Sequence, residues 1–213
     1  MDDTARAANR GRRVSRPTGE DRQEAILETA ERLLDARGFD DVSIEELAVG
    51  AGISRPTFYF YFSSKDDVLL ALLDRVITEI RHRVAALPRD FAEDPARAWR
   101  RSIGVFVDVF TTHRGVAAAT ATARLRNAEV LTLWSASMRT WSDYATEVIR
   151  AERARGAAPD GIDANELAVA LNLMNERVLS AAFTGESPAI ELDHALDVLT
   201  TIWLRAIYAA DVG

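Results

Sequence analysis

Residues 42–65 read VSIEELAVGAGISRPTFYFYFSSK, and the fold turns on them. Ser43 and Glu46 have the spacing of a capping box, in which each side chain satisfies a backbone N–H at the other's position. They open a short helix that ends near Ala51-Gly52. Ser54 caps a second helix, with Pro56 in its first turn, where a missing N–H costs little. Leu47, Ala48, Ile53 and Phe58 are spaced to pack between the two helices, and small Ala48 lets the backbones approach. A tight turn at Ala51-Gly52-Ile53 then gives the spacing of a helix-turn-helix, whose second helix enters the major groove by its N-terminal residues. The competing reading is a helical hairpin whose aromatic residues are only core.

On the first reading, Arg55, Thr57 and Tyr59 fall where side chains reach base edges or phosphates. Arg55 can grip the O6/N7 edge of a guanine with two donors. Thr57, Tyr59 and Tyr61 supply hydroxyls for phosphate oxygens, and Ser43 offers its own at the start of the preceding helix. Lys65, the only lysine in the chain, follows the second helix and is expected to neutralise a phosphate.

Outward from this stretch the chain reads as all-α. A first helix is expected from Glu20 to Arg37, with Ile26, Ala30, Leu33 and Leu34 on one face and Gly38 as a left-handed stop. A long helix begins at Lys65 and carries Val68, Leu69, Leu72, Leu73, Val76 and Ile80. Pro88 marks a link, and Asp94-Pro95 restarts helical structure. Further helices are expected at about 95–112, 115–125, 127–155, 163–184 and 190–209, punctuated by Gly115, Gly156, Gly161, Gly185 and Pro188. Asp163 and Glu166 have the spacing of another capping box. Three units follow: a flexible basic arm at 1–19, a DNA-binding helix-turn-helix domain at 20–66, and a ligand-binding and dimerisation domain at 67–213.

The net charge of −7 argues at first against nucleic acid, since phosphate contacts need cations. Distribution matters more, because residues 1–19 hold Arg6, Arg10, Arg12, Arg13 and Arg16 against only Asp2 and Asp3. Hydrophobic residues at 48% and charged residues at 28% suit a globular core and exclude wholesale disorder. No apolar run approaches the roughly 18 residues of a membrane span, and no signal peptide is visible. The lack of cysteine fits the cytoplasm, the expected location, and removes thiolate metal sites. His82, His113 and His194 show no metal-binding spacing, and no phosphate loop or dinucleotide fingerprint appears. No enzyme, metal or cofactor is therefore expected, a helical enzyme or lipid carrier and a pure interaction protein being the alternatives.

The second domain repeats one pattern. Trp99, Ile103, Phe106 and Phe110 share a helix face, as do Trp134, Met138, Trp141 and Tyr144 on another helix. A third carries Asn172, Asn175, Glu176, Leu179 and Phe183 on one face, and Trp203 lies in the last helix. Aromatic stripes at helical spacing are ordinarily core. Here all four tryptophans fall in this domain, and large flat residues wall a cavity better than they fill a core. Polar Asn172, Asn175 and Glu176 beside Leu179 suit a mostly apolar pocket with a few orienting groups. Glu176 has a second explanation as a partner of Arg177.

The string AGISRPTFYFYFSSKDDVLLALLDRV resembles the signature of the TetR family of transcriptional regulators, over about residues 21–76. Further strings, GRR-x-x-RP, LLDRV, AERARGAAP and ALNLMNER, are similar to one particular repressor of that family. The resemblance implies a homodimeric repressor that binds double-stranded operator DNA and is released by a small hydrophobic effector. It implies DNA contacts at or near Ser43, Arg55, Thr57, Tyr59, Tyr61 and Lys65. It also implies a hydrophobic tunnel lined by Trp99, Phe106, Phe110, Trp134, Met138, Trp141, Tyr144, Asn172, Asn175, Glu176 and Trp203. Ser180 and Ala145 depart from that relative toward smaller side chains, which would widen or reshape the tunnel. Dimerisation is expected through the last two helices, with Leu167, Leu171, Leu192, Leu196, Leu199, Ile202 and Ile207 as available apolar surface.

Overall fold

Thr18 accepts a hydrogen bond from Asp21 N while its own N–H meets the Asp21 carboxylate, and this reciprocal cap starts helix α1, Gly19–Ala36. The structure, a computed structural model, describes residues 18–209. The basic arm expected at 1–19 therefore lies outside the described residues except for Thr18 and Gly19, which belong to the helix start instead. Gly38 is not the left-handed stop expected of it: its φ is −64°, and it leads into a short 3-10 turn, Phe39–Asp41. Helix α2, Ile44–Gly50, and helix α3, Arg55–Tyr61, follow with the Ser43 and Ser54 caps in place. Gly52 between them has φ +68°, a conformation that costs an L side chain strain but glycine none.

Ile26, Leu47, Ala48, Phe58, Val68 and Leu69, all at most 1% exposed, close the core of this three-helix module against the start of α4, Lys65–Ala85. The expected domain boundary at 66/67 thus falls within one continuous helix that serves both units. The remaining helices are α5 (Pro95–Thr112), α6 (Arg114–Ala123), α7 (Ala128–Ala154), α8 (Ala164–Thr184) and α9 (Leu192–Tyr208). Every described element is helical, so the chain is all-α as its periodicity predicts. Asp94, Asn127 and Asp163 each accept backbone N–H groups at helix starts, and Gly156 and Gly185 take positive φ at the ends of α7 and α8.

Helix α6 is rich in small residues and packs closely on α1. A Cβ on Gly115 would lie 2.5 to 2.6 Å from backbone atoms of Leu34 and Asp35, so only glycine fits. Its N–H donates to Asp35 Oδ1 at 3.2 Å. Beside it, the His113 ring sits between Glu31 of α1 and Glu79 of α4, with Nε2 at 3.1 Å from Glu79. Burial pulls the His113 pKa down, but the hydrogen bonds to Glu31 and Glu79 outweigh it and raise the value above that of ordinary histidine. Just beyond the other end of α6, Arg126 holds both Asp40 oxygens, the nearer at 2.6 Å. Three polar ties therefore join the α6 segment to the helix-turn-helix module.

Candidate nucleic-acid interface and ligand cavity

The surface of α3 is uneven. Phe58 points inward and is fully buried, whereas Arg55, Pro56, Tyr59 and Phe60 face solvent. Arg55 lies along the helix with its guanidinium 3.3 Å from the Tyr59 hydroxyl and 5.9 Å from the ring centroid. This contact holds a long cation on the face that a groove would meet. Phe60 is 84% exposed, and Val49 on α2 is 67% exposed; sequence reasoning did not separate them from the core aromatics and aliphatics. An aromatic ring left in water on a recognition helix is suited to the methyl group of thymine, a contact of direct readout.

Three residues expected to meet phosphate are otherwise engaged. The Ser43 hydroxyl donates to Glu46 Oε2 at 2.7 Å and accepts from Glu46 N, which spends its proton inside the capping box. Hydrogen bonds from the Ser43 side chain, Arg37 and the Ser43 backbone hold the Glu46 carboxyl down at about 2, so the acceptor stays charged. Lys65 Nζ donates to the carbonyls of Phe39, Val42 and Asp40 at 2.9, 3.2 and 3.3 Å. An ammonium has three protons, and these carbonyls take them, so Lys65 ties the 3-10 turn to α4 while keeping its positive charge. Thr57 Oγ1 is 2.8 Å from Ser54 Oγ at the helix start. Tyr61 packs partly buried against the core, with its hydroxyl near Gly19.

A cavity of about 410 Å³ lies among α4, α5, α7, α8 and α9. Its wall includes Trp99, Ile103, Phe106, Trp141, Tyr144, Asn172, Asn175 and Trp203, eight of the residues expected to line a pocket. The other five, Phe110, Trp134, Met138, Glu176 and Leu179, line two much smaller spaces beyond an aromatic cluster. Within that cluster Phe106 and Trp141 meet edge to face at 4.9 Å, and Trp134 and Trp141 at 5.8 Å. Ser180, expected to widen or reshape the tunnel, borders the far space, of about 30 Å³, together with Thr120, Arg124 and Glu176. Ala145 does line the main cavity.

Polar groups in the cavity wall have defined orientations. Trp203 Nε1 donates to Asn175 Oδ1 at 2.9 Å, and an indole can only donate, so this bond fixes which end of the amide is which. Among the described residues nothing accepts from Asn175 Nδ2. Asn172 spends an amide hydrogen on the carbonyl of Ala168, at 2.9 Å. Trp99 Nε1 donates to the Tyr208 hydroxyl, which donates to buried Glu152, itself held by Arg155. Burial and the neighbouring Glu152 carboxylate push the Tyr208 phenol upward, so it remains a donor. Glu176 is not paired with Arg177, which turns to Glu186. Its carboxylate holds Arg124 at 2.8 Å, and that guanidinium lies 5.4 Å over the Trp134 ring. Arg124 had no signal in the sequence, since its partner is 52 residues away.

The dimer face also differs from expectation. Leu167, Leu171, Leu199 and Ile207 are at most 5% exposed within one protomer and are not available as surface. Exposed apolar side chains on the same two helices are Val169, Leu173 and Ile202, at 37%, 53% and 40%.

A two-helix DNA-reading module joined by a shared helix to a larger helical body defines a helix-turn-helix transcription regulator. Residues 26–72 match "Bacterial regulatory proteins, tetR family", and residues 99–209 match "Transcriptional regulator EthR, C-terminal domain". The chain is 51% identical over 200 residues to the HTH-type transcriptional regulator EthR of Mycobacterium tuberculosis, covering 93% of each. It is 46% identical to EthR of Mycolicibacterium smegmatis, covering 93% of this chain and 92% of that one. The crystal structure of a TetR transcription regulator from Haloarcula marismortui superposes with a TM-score of 0.72 at 16% identity, over 88% of this chain and 97% of the other. The chain belongs to the TetR family of transcriptional regulators, on its EthR-like branch, and is not an enzyme. Regulators of this family bind operator DNA and dimerise. No described helix is long and apolar enough to cross a membrane.

Proposed function

We propose that this protein is a dimeric repressor whose grip on operator DNA is released by a small, largely apolar ligand bound in the α4–α9 body. The observation that carries this reading is the 410 Å³ cavity walled by α4, the helix whose other end completes the core of the DNA-reading module. Its size lies in the roughly 300–1,000 Å³ range of small-molecule sites. Two protomers pair through the exposed faces of α8 and α9, around Val169, Leu173 and Ile202, and so set the distance between two α3 helices. Arg55, Tyr59 and Phe60 read or grip DNA, while Ser43, Thr57, Tyr61 and Lys65 shape the module that presents them. The arginine-rich residues 1–17 supply further sequence-independent contacts to phosphate.

The ligand acts by binding more tightly to a spacing of the α3 helices that fits DNA poorly. The cavity meets the module through α4 itself, while α6, which borders only the smaller space beside Glu176, braces the helical body against the module by the His113, Gly115 and Arg126 ties. Inside the cavity Asn175 Nδ2 donates to a ligand carbonyl, with its orientation locked by Trp203.

Two variants test the two halves of this reading. Arg55→Ala should weaken binding to duplexes selected from a random pool by roughly 1–3 kcal/mol and relax one base position, with the fold and dimer intact. Unchanged affinity and preference in a selection repeated on the variant would remove Arg55 from the reading set. Asn175→Leu should bind octananilide more weakly by about 1 kcal/mol, since one hydrogen bond is lost. It should still hold operator DNA. Fluorescence anisotropy of a labelled duplex measures the first quantity and calorimetric titration with octananilide the second.

A further inference from the structure

The large cavity is closed on one side and open on the other. Trp99, Ser102, Asn175 and Trp203 are buried, whereas the exposed part of its wall belongs to α4, the link after it and α7. The mouth therefore lies between α4 and α7. Arg81 of α4 and Arg89 of the link both stand there, exposed and lining the space.

Their position at the mouth and their lack of a carboxylate partner set them apart together. Arg75, Arg101, Arg124 and Arg126, by contrast, are all ion-paired. Among the described residues neither Arg81 nor Arg89 is paired with a carboxylate. The one side-chain hydrogen bond of Arg81 goes to the neutral Thr78 hydroxyl, at 2.9 Å. Asp74 is the one carboxylate lining the mouth. It precedes Arg81 by seven residues on α4, which places it about 10 Å along the axis toward the DNA-reading module. The rim is thus positive at the Arg81 and Arg89 end, above a mainly apolar and aromatic interior. A head group bound there stays in contact with water, so its charge is attracted without the cost of full burial.

We infer that the effector is an amphipathic anion. Its apolar body fills the cavity, and an anionic head, carboxylate or phosphate, rests on Arg81 and Arg89. This rests on the ligand-binding reading above and adds to it the chemical class of the ligand. The two guanidiniums act as positioning and selectivity groups at the mouth, distinct from Asn175, which meets a carbonyl deeper in.

The test compares monoanilides of adipic, suberic and sebacic acids with their methyl esters and with analogues ending in a phosphate monoester. Binding is measured by calorimetry on the full-length dimer, at low and at high salt. In at least one chain length the anion should bind roughly tenfold more tightly than its neutral ester, an advantage that shrinks as salt rises. The charged analogue that binds better identifies the head group. In Arg81→Gln/Arg89→Gln the preference should collapse while ester affinity, melting temperature and DNA binding stay unchanged. Equal binding of anion and ester by the parent protein would overturn the proposal and leave the ligand cavity standing. An anion preference that survives the double substitution would overturn it too. If no compound of either kind bound, the cavity reading itself would fall, and this proposal with it.

Discussion

Gly115→Val should lower the melting temperature by several degrees and weaken operator binding, although the residue lies neither on α3 nor in the wall of the 410 Å³ cavity. A Cβ at this position would meet the Leu34 carbonyl and the Asp35 nitrogen at 2.5 to 2.6 Å. These are backbone atoms inside a helix, so no rotamer change relieves the clash. Either α6 lifts from α1 or both helices distort, and the Gly115–Asp35 and His113–Glu31 contacts go with them. Overpacking of this kind costs about 1–3 kcal/mol or somewhat more. In a chain of this size each kcal/mol corresponds to roughly 2–4 °C. Calorimetric melting checks the first effect and anisotropy on a selected duplex the second. A melting temperature equal to that of the parent would show that α6 and α1 are not in the close approach described.

Trp203→Ala should be the costliest change at the cavity. The ring is 3% exposed, packs at a 47° tilt against Trp99 with a centroid distance of 4.8 Å and fixes the Asn175 amide. Truncating a buried tryptophan costs about 3–5 kcal/mol. One side of this ring already faces open space, so the lower end, about 3 kcal/mol, is expected by urea denaturation. Trp203→Phe separates packing from hydrogen bonding: it keeps most of the volume but frees Asn175 to turn. Octananilide affinity should fall in both variants, and a phenylalanine variant that binds it as the parent does would remove the amide lock from the account.

The helices and their order were legible because their boundaries are written locally. Ser43, Ser54, Asp94 and Asp163 cap, and Gly156 and Gly185 stop, within a few residues of the backbone groups they serve. The aromatic stripes were equally legible, and all thirteen pocket candidates border one or another of the three spaces. What a polar side chain bonds to was not legible. Lys65 was expected to neutralise a phosphate, and nothing in the sequence signalled its further bonds to carbonyls 23 to 26 residues earlier, brought to it by the packing of the module against α4. Glu176 was read as a polar group of the pocket, with Arg177 as the alternative partner, while the fold pairs it with Arg124.

Periodicity also fails to say which of two apolar faces meets the protomer's own core. Leu167 and Leu171 turn inward on α8, and Leu173 turns outward. The role of α6 was hidden for a further reason. A helix of alanines and threonines carries little hydrophobic signal, and its value lies in how near small residues let another helix come. The three ties made by His113, Gly115 and Arg126 were therefore visible only in the structure.

The central claim is that occupation of the cavity lowers affinity for DNA. It is tested most directly by two titrations of one sample with octananilide, one read as melting temperature and the other as anisotropy of a selected, labelled duplex. The account predicts that both respond over the same concentration range. The melting temperature should rise as ligand binds the folded state, and the duplex should be released. A rise in melting temperature with the duplex still bound at full saturation would contradict the account, since the cavity would then hold a ligand without acting on DNA.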